Sequence, residues 1–206
     1  MTRVGFVGAG RMGAPMVSRL VEAGHEVRAL GRTDEKSQAV RDLGAQPVPA
    51  LTAVADDADV VIVCVFTDEQ VQQVCTSSDL ISAMAPGAVL VIHTTGSPRT
   101  AQAVAARCPA IDVVDAPVSG GPHDIAGGTL TLFVGGSGDA VARARPVLEA
   151  YGDPILHVGR LGAGQAVKLV NNALFAAQIG LLRQAVALGD RDGVDEENLL
   201  SSITHG

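Results

Sequence analysis

Tryptophan is absent from this 206-residue chain, and tyrosine occurs once. Aromatics make up 2% of residues, so the core must be built from Val, Leu, Ile and Ala, and few rings remain to stack on bases. The net charge of −7 repels a phosphate backbone, which argues against nucleic-acid binding. Long apolar runs are missing too. The longest charge-free one, Val60 to Phe66, is far below the ~20 residues that span a bilayer, so no membrane partner is expected. The first residues enter a strand pattern directly, without the segments of a signal peptide, which points to the cytoplasm. The three cysteines, Cys64, Cys75 and Cys108, are odd in number and make no C-x-x-C pair. That suits a reducing compartment and fits neither a disulfide framework nor a zinc site. Cys64, inside an apolar run, reads as core. His25, His93, His123, His157 and His205 lack metal-ligand spacing and read as surface or loop residues; no metal is expected. No G-x-S-x-G elbow is present, which disfavours a hydrolase.

What the chain does have is apolar surface to bury. Hydrophobic residues make up 47% and charged residues 18%, which excludes a disordered chain. At about 150 residues per domain, the length predicts one domain, or one with a small second. Arg3 to Val7 reads as a strand, followed by a helix with Met16, Leu20 and Val21 on one face, stopped by Gly24. Glu26 to Leu30 reads as a strand, and Thr33 caps a helix to Leu43. Val60 to Phe66 reads as a strand buried on both faces, and Ala88 to His93 and Ile111 to Asp115 as further strands. Asp56, Asp57 and Asp59 read as a solvated loop. This alternation predicts an α/β fold: a Rossmann-type, doubly wound, mainly parallel sheet over residues 1–160. Leu130 to Val134 and Pro154 to Val158 extend the sheet at its end. Residues 161–206 read as the beginning of an all-helical domain. There, Gly164 to Leu188 lacks proline and is apolar nearly all round, so burial on every side is expected. Asp195 reads as the cap of a last short helix, with Val194 and Leu199 as a hydrophobic staple.

Three motifs carry chemistry. Gly8-Ala9-Gly10-Arg11-Met12-Gly13 matches G-x-G-x-x-G between a strand and a helix, the context the motif requires. Gly8 permits the tight turn, Gly10 lets the backbone approach a pyrophosphate, and Gly13 lets helix and strand pack closely. Free N–H groups at the helix start then hold the anion. The competing reading is a glycine turn without a ligand. An acid after the second strand would bind the 2′-hydroxyl of NAD, but Leu30-Gly31-Arg32-Thr33 stands there instead. Arg32 can pair with a 2′-phosphate and Thr33 can donate to it, so NADP is preferred over NAD, unless Arg32 is a solvated loop residue. Asp34 and Glu35 read as first-turn acids of the next helix.

The second motif, Asp115 to Gly121, leaves a strand for a glycine-rich loop. The Ser119 hydroxyl and the N–H groups of Gly120 and Gly121 can hold a carboxylate; the competing reading is a simple turn. The third is Lys168 with Asn172, four apart on one face of the long helix. A lysine in so apolar a segment either snorkels or, with its pKa lowered by burial, exchanges protons.

In this order the three motifs, with Gly159 to Asn172 as the last, resemble the β-hydroxyacid dehydrogenase family, which includes 3-hydroxyisobutyrate dehydrogenases and tartronate semialdehyde reductases. The resemblance covers essentially the whole chain. It implies hydride transfer between NADP and a small 3-hydroxy acid or its semialdehyde. By position it implies Lys168 as catalytic lysine, Asn172 as its substrate-orienting partner, and Ser119, Gly120 and Gly121 as the carboxylate loop. Thr94 and Thr95, before Ser97-Pro98, resemble the segment near nicotinamide and substrate; Phe66 and Thr67 resemble a segment lining the cofactor. His93 and His123 lie near enough in sequence to touch substrate. Family members continue with more helices, so this chain looks C-terminally short: either a homodimer through the long apolar helix, or a truncated form with an incomplete site. A non-catalytic NADP-binding protein is one alternative. An imine-reductase-like enzyme is another, though resemblance to those goes with loss of the lysine.

Overall fold

Apolar strands alternating with amphipathic helices set the architecture. In the computed structural model, residues 1–203 are described; His205 lies outside them. The chain divides into two units, Met1–Lys168 and a second starting at Leu169. In the first, the strands are β1 (Arg3–Val7), β2 (Glu26–Leu30), β3 (Gln46–Val48), β4 (Val60–Val63), β5 (Val89–Ile92) and β6 (Asp112–Asp115). Between them run α1 (Gly13–Glu22), α2 (Asp34–Asp42), α3 (Leu51–Ala55), α4 (Asp68–Cys75) and α5 (Pro98–Arg107). These six strands are parallel, in the order β3-β2-β1-β4-β5-β6. That is the doubly wound Rossmann order, with its switch point between β1 and β4. Beyond β6 the sheet adds β7 (Val118–Ser119), β8 (Leu130–Gly135) and β9 (Gly152–Gly159), with α6 (Pro122–Ala126) and α7 (Gly138–Leu148) among them. β8 runs antiparallel to β6 and β7, and parallel to β9.

The continuous apolar run of β4 follows from the two-sided cover. Val60 and Ile62 belong to one core with Phe6, Met16 and Leu20. Val61 and Val63 belong to the other, with Leu90, Ile92 and Val104. The expected strand is shorter than its apolar run, ending at Val63. Past that point the chain must turn toward α4, whose cap is Thr67.

Helix α8 (Ala163–Arg191) begins in the first unit and continues into the second, where α9 (Glu196–Ile203) follows. Asp195 caps α9, as its Oδ1 accepts from Asn198 N at 3.1 Å. The expectation that α8 is buried on every side is overturned within this chain. Val170, Leu174, Phe175 and Leu181 are 58–70% exposed, because no described residue covers them. Among the described residues, no helix is long and apolar enough to cross a membrane.

One further expectation is corrected. His93 is not a surface residue: it is 2% exposed at the end of β5. Asp56, Asp57 and Asp59 are exposed, as expected, and they also make ion pairs, Asp57 and Asp59 with Arg3 and Asp56 with Arg28.

Candidate active site

The turn after β1 is held open by its glycines. Gly8 has φ +103°. A Cβ there would strike the Cys64 carbonyl, and one on Gly13 would strike the Gly8 carbonyl, so both glycines permit close backbone approach. A Cβ on Gly10 would meet nothing within 4 Å: this glycine faces open space. Thr33, Thr67 and Ser97 cap α2, α4 and α5 with their hydroxyls, but α1 has no side-chain cap and no acid in its first turn. Its positive end and free N–H groups are therefore left for an anion.

That end of α1 opens onto a cleft of about 760 Å³ beyond the carboxyl ends of β1, β2 and β4. Gly8 to Gly13 form its floor, Arg32 and Lys36 contribute cations, and Phe66, 89% exposed, stands at its wall. The site has the size and the anion-holding groups of a dinucleotide pocket. Among the described residues, no carboxylate lines it. Sequence reasoning missed Lys36, although its position in the first turn of α2, three residues after the Thr33 cap, was a usable signal. Thr33 Oγ1 accepts from Lys36 N at 3.2 Å, so its own proton remains available to a ligand. Cys64 packs against the core, as expected, and its partly exposed side also lines the cleft. Burial pushes its thiol up to about 11, which disfavours the thiolate at neutral pH.

Thr67 is a structural cap: with Gln70 it forms a reciprocal capping box. Thr94 is buried, its hydroxyl donating to Val65 O at 2.9 Å and accepting from Val65 N at 3.1 Å. It fixes the turn after β4 to the turn after β5. Thr95, next along, is exposed.

The loop of Ser119, Gly120 and Gly121 is only partly free. Gly121 N donates to Asp124 Oδ2 at 2.7 Å and so caps α6. Gly120 has φ +130° and is exposed. The Ser119 hydroxyl has no hydrogen-bond partner among the described residues. His123, on α6, is exposed. Behind this loop, His93 Nδ1 lies 2.6 Å from Ala116 O and Nε2 lies 2.7 Å from Tyr151 Oη. A carbonyl only accepts, so Nδ1 carries the proton and the neutral ring accepts from the Tyr151 hydroxyl. Burial drives the His93 pKa down to about 4, which keeps that tautomer neutral. His93 thus braces the loop from inside.

Lys168 sits in the first turns of α8, half-buried, and burial lowers its pKa from the ordinary lysine value. The helix start is fixed by Asp115, a fully buried carboxylate with no cation paired to it among the described residues. Its oxygens accept from Gly162 N at 2.6 Å and Gln165 N at 2.7 Å. Burial raises its pKa, and these backbone donors hold it back. Asn172 belongs to the second unit and is exposed. The structure thus gathers Gly8, Ala9, Gly10, Arg11, Met12, Gly13, Arg32 and Phe66 around one cleft. Thr33, Thr67, Thr95, Ser119, Gly120, Gly121 and Lys168 are not on its wall. Among the described residues, no cluster of His, Cys, Asp or Glu could hold a metal.

Sheet order, glycine turn and cleft together define an NAD(P)-binding α/β protein. Residues 3–159 match the NAD binding domain of 6-phosphogluconate dehydrogenase. Residues 162–206 match the NAD-binding segment of NADP-dependent 3-hydroxyisobutyrate dehydrogenase. The chain belongs to the β-hydroxyacid dehydrogenase family, a family of oxidoreductases. It is 37% identical to the 3-hydroxyisobutyrate dehydrogenase of Pseudomonas aeruginosa, over 95% of this chain and 66% of that protein. It is 35% identical to the NAD-dependent L-serine dehydrogenase of the same organism, over 97% and 68%. The structure of Mycobacterium tuberculosis 3-hydroxyisobutyrate dehydrogenase with L-serine superposes with a TM-score of 0.94 at 36% identity, covering 100% of this chain and 71% of that one. The chain thus spans about two thirds of the length of the curated relatives it matches.

Proposed function

We propose that the protein transfers hydride reversibly between NADP and a small 3-hydroxy acid or the matching semialdehyde. The observation that carries this reading is one lysine, lowered in pKa by burial, on a helix whose start is fixed by a buried carboxylate, in a domain built around an NAD(P) cleft. The cofactor supplies the hydride chemistry, and the chain supplies placement and proton transfer. The Gly8 to Gly13 turn and the uncapped start of α1 hold the pyrophosphate. Arg32, Lys36 and the Thr33 hydroxyl take the 2′-phosphate, and Phe66 covers the wall.

In oxidation, Lys168 as the free amine takes the hydroxyl proton while the carbinol hydrogen leaves as hydride. In reduction, its ammonium returns that proton to the carbonyl oxygen. Asn172, four residues further along the same helix, orients the reacting oxygen. Ser119 and the Gly120 N–H receive the carboxylate, while Gly121 shapes the loop around Asp124. Thr95 closes the substrate side. The presence of Lys168 weighs against an imine reductase.

Loss of NADPH absorbance is the test, with a panel of small semialdehydes and 2-oxo acids and with Lys168→Ala beside the wild type. Wild type should turn over, and the variant should lose about 10²–10⁴-fold in turnover with NADPH affinity unchanged. Equal turnover in both removes Lys168 from the reaction; binding without turnover in either supports a cofactor-binding protein. The exposed apolar side chains of α8 further support a homodimer through that helix. Sedimentation should give a dimer that Leu174→Glu with Leu181→Glu dissociates, and a wild-type monomer ends that reading.

A further inference from the structure

Gln165 is 2% exposed, yet no step above uses it. Its Nε2 donates to Thr94 O at 2.7 Å, and its Oε1 accepts from Gly96 N at 2.8 Å. These two bonds bracket Thr95 from both sides. Only one orientation of the amide satisfies both, because one end only donates and the other only accepts. The backbone of Gln165 is itself held by Asp115, on the last residue of β6. Neither neighbouring segment has slack. A Cβ on Gly96 would overlap the Asp68 carboxylate, and one on Gly164 would overlap the Phe133 carbonyl. Asp68 Oδ2 also accepts from Ser97 N at 2.8 Å, pinning the far side of the same loop. Lys168 follows Gln165 by three residues, so the two side chains neighbour each other on the helix surface.

We propose that Gln165 is a positioning residue: it locks the Thr95 loop to the first turn of α8, so that Thr95 and Lys168 cannot shift independently. The inference rests on the reading of Lys168 as the proton carrier. Its physical motive is that a displacement of about 1 Å at a reacting group can cost about 10²-fold in rate.

The composition offers a clean test, since Lys36 and Lys168 are the only lysines. Lys36, in the cofactor cleft, serves as internal reference for the reactivity of Lys168 toward a small acetylating reagent, read by mass spectrometry. Gln165→Met keeps the length of the side chain and removes both hydrogen bonds. Gln165→Glu keeps the acceptor for Gly96 N and loses the donor. In Gln165→Met, the Lys168 to Lys36 acetylation ratio should change severalfold. Turnover should fall about 10- to 100-fold, with NADPH affinity held within about twofold. Gln165→Glu should fall between this variant and the wild type, and it decides the matter if Gln165→Met does not fold. An unchanged acetylation ratio overturns the proposal whatever turnover does, and so does a loss of NADPH affinity equal to the loss in turnover. Should the wild type turn over no substrate, the proposed reaction fails by itself, and the ratio still decides the positioning.

Discussion

The two ends of the candidate site are built on opposite principles. At the cofactor cleft the groups are left open: α1 has no side-chain cap, Gly10 faces empty space, and Arg32 and Lys36 are exposed. Around the turns after β5 and β6 the supporting side chains are closed, although Thr95 and Gly120 are exposed. Thr94, His93, Asp115 and Gln165 are buried, and each has its hydrogen bonds made within the chain. The contrast follows from what binding and reaction each require. A binding surface needs unsatisfied donors, since the ligand completes them. A reaction surface needs side chains that do not move, and buried polar groups that are fully paired give rigidity. Losing Lys168 or Gln165 should therefore disturb rate and spare cofactor affinity. Damage at the open end should do the reverse.

The closed end should also be the acid-sensitive one. His93 is neutral in the fold, with its pKa lowered to about 4, whereas an unfolded histidine titrates near 6.5. The unfolded state therefore binds more protons between these values, and stability falls as pH drops from 6.5 through 4, then levels off. The shift corresponds to on the order of 3 kcal/mol. Asp115 works in the opposite sense, because burial raises its pKa and protonation then favours the fold. The two are separated by denaturant unfolding of wild type and His93→Gln across this pH range. The wild type should show the larger loss on acidification, and parallel curves would remove His93 as the source.

Much of the open end was legible in the sequence and little of the closed end was. The glycine spacing, the Thr33 cap and the absence of an acid after β2 are local signals, and the structure keeps each where its neighbours dictate. Lys36 carries a weaker local signal, because Asp34 and Glu35 beside it mark the same turn as an ordinary acidic helix start. The closed end depends on partners far apart in the chain. Asp115 meets Gln165 across 50 residues, and His93 meets Tyr151 across 58. No spacing rule connects such pairs, so His93 read as a surface residue and Asp115 as a strand end. Helix α8 misled in another way: its composition asks for burial, but composition alone does not say which surface provides it.

The smallest effect sharpens the open end. Replacing Arg32 with Ala removes one charged donor from the place assigned to the 2′-phosphate and leaves Lys36 and Thr33 in position. Hydrogen bonds to charged groups are worth about 1.5–3 kcal/mol. NADPH affinity should therefore fall about 10- to 100-fold, while NADH, which lacks the 2′-phosphate, should bind as to the wild type. Arg32 is exposed and carries no internal hydrogen bond among the described residues, so the fold should not register the change. Titration of both nucleotides by fluorescence separates the outcomes. A parallel fall for NADPH and NADH means that Arg32 acts on the shared part of the dinucleotide. No fall for either means that it is the solvated loop residue, and the preference for NADP then has to come from Lys36.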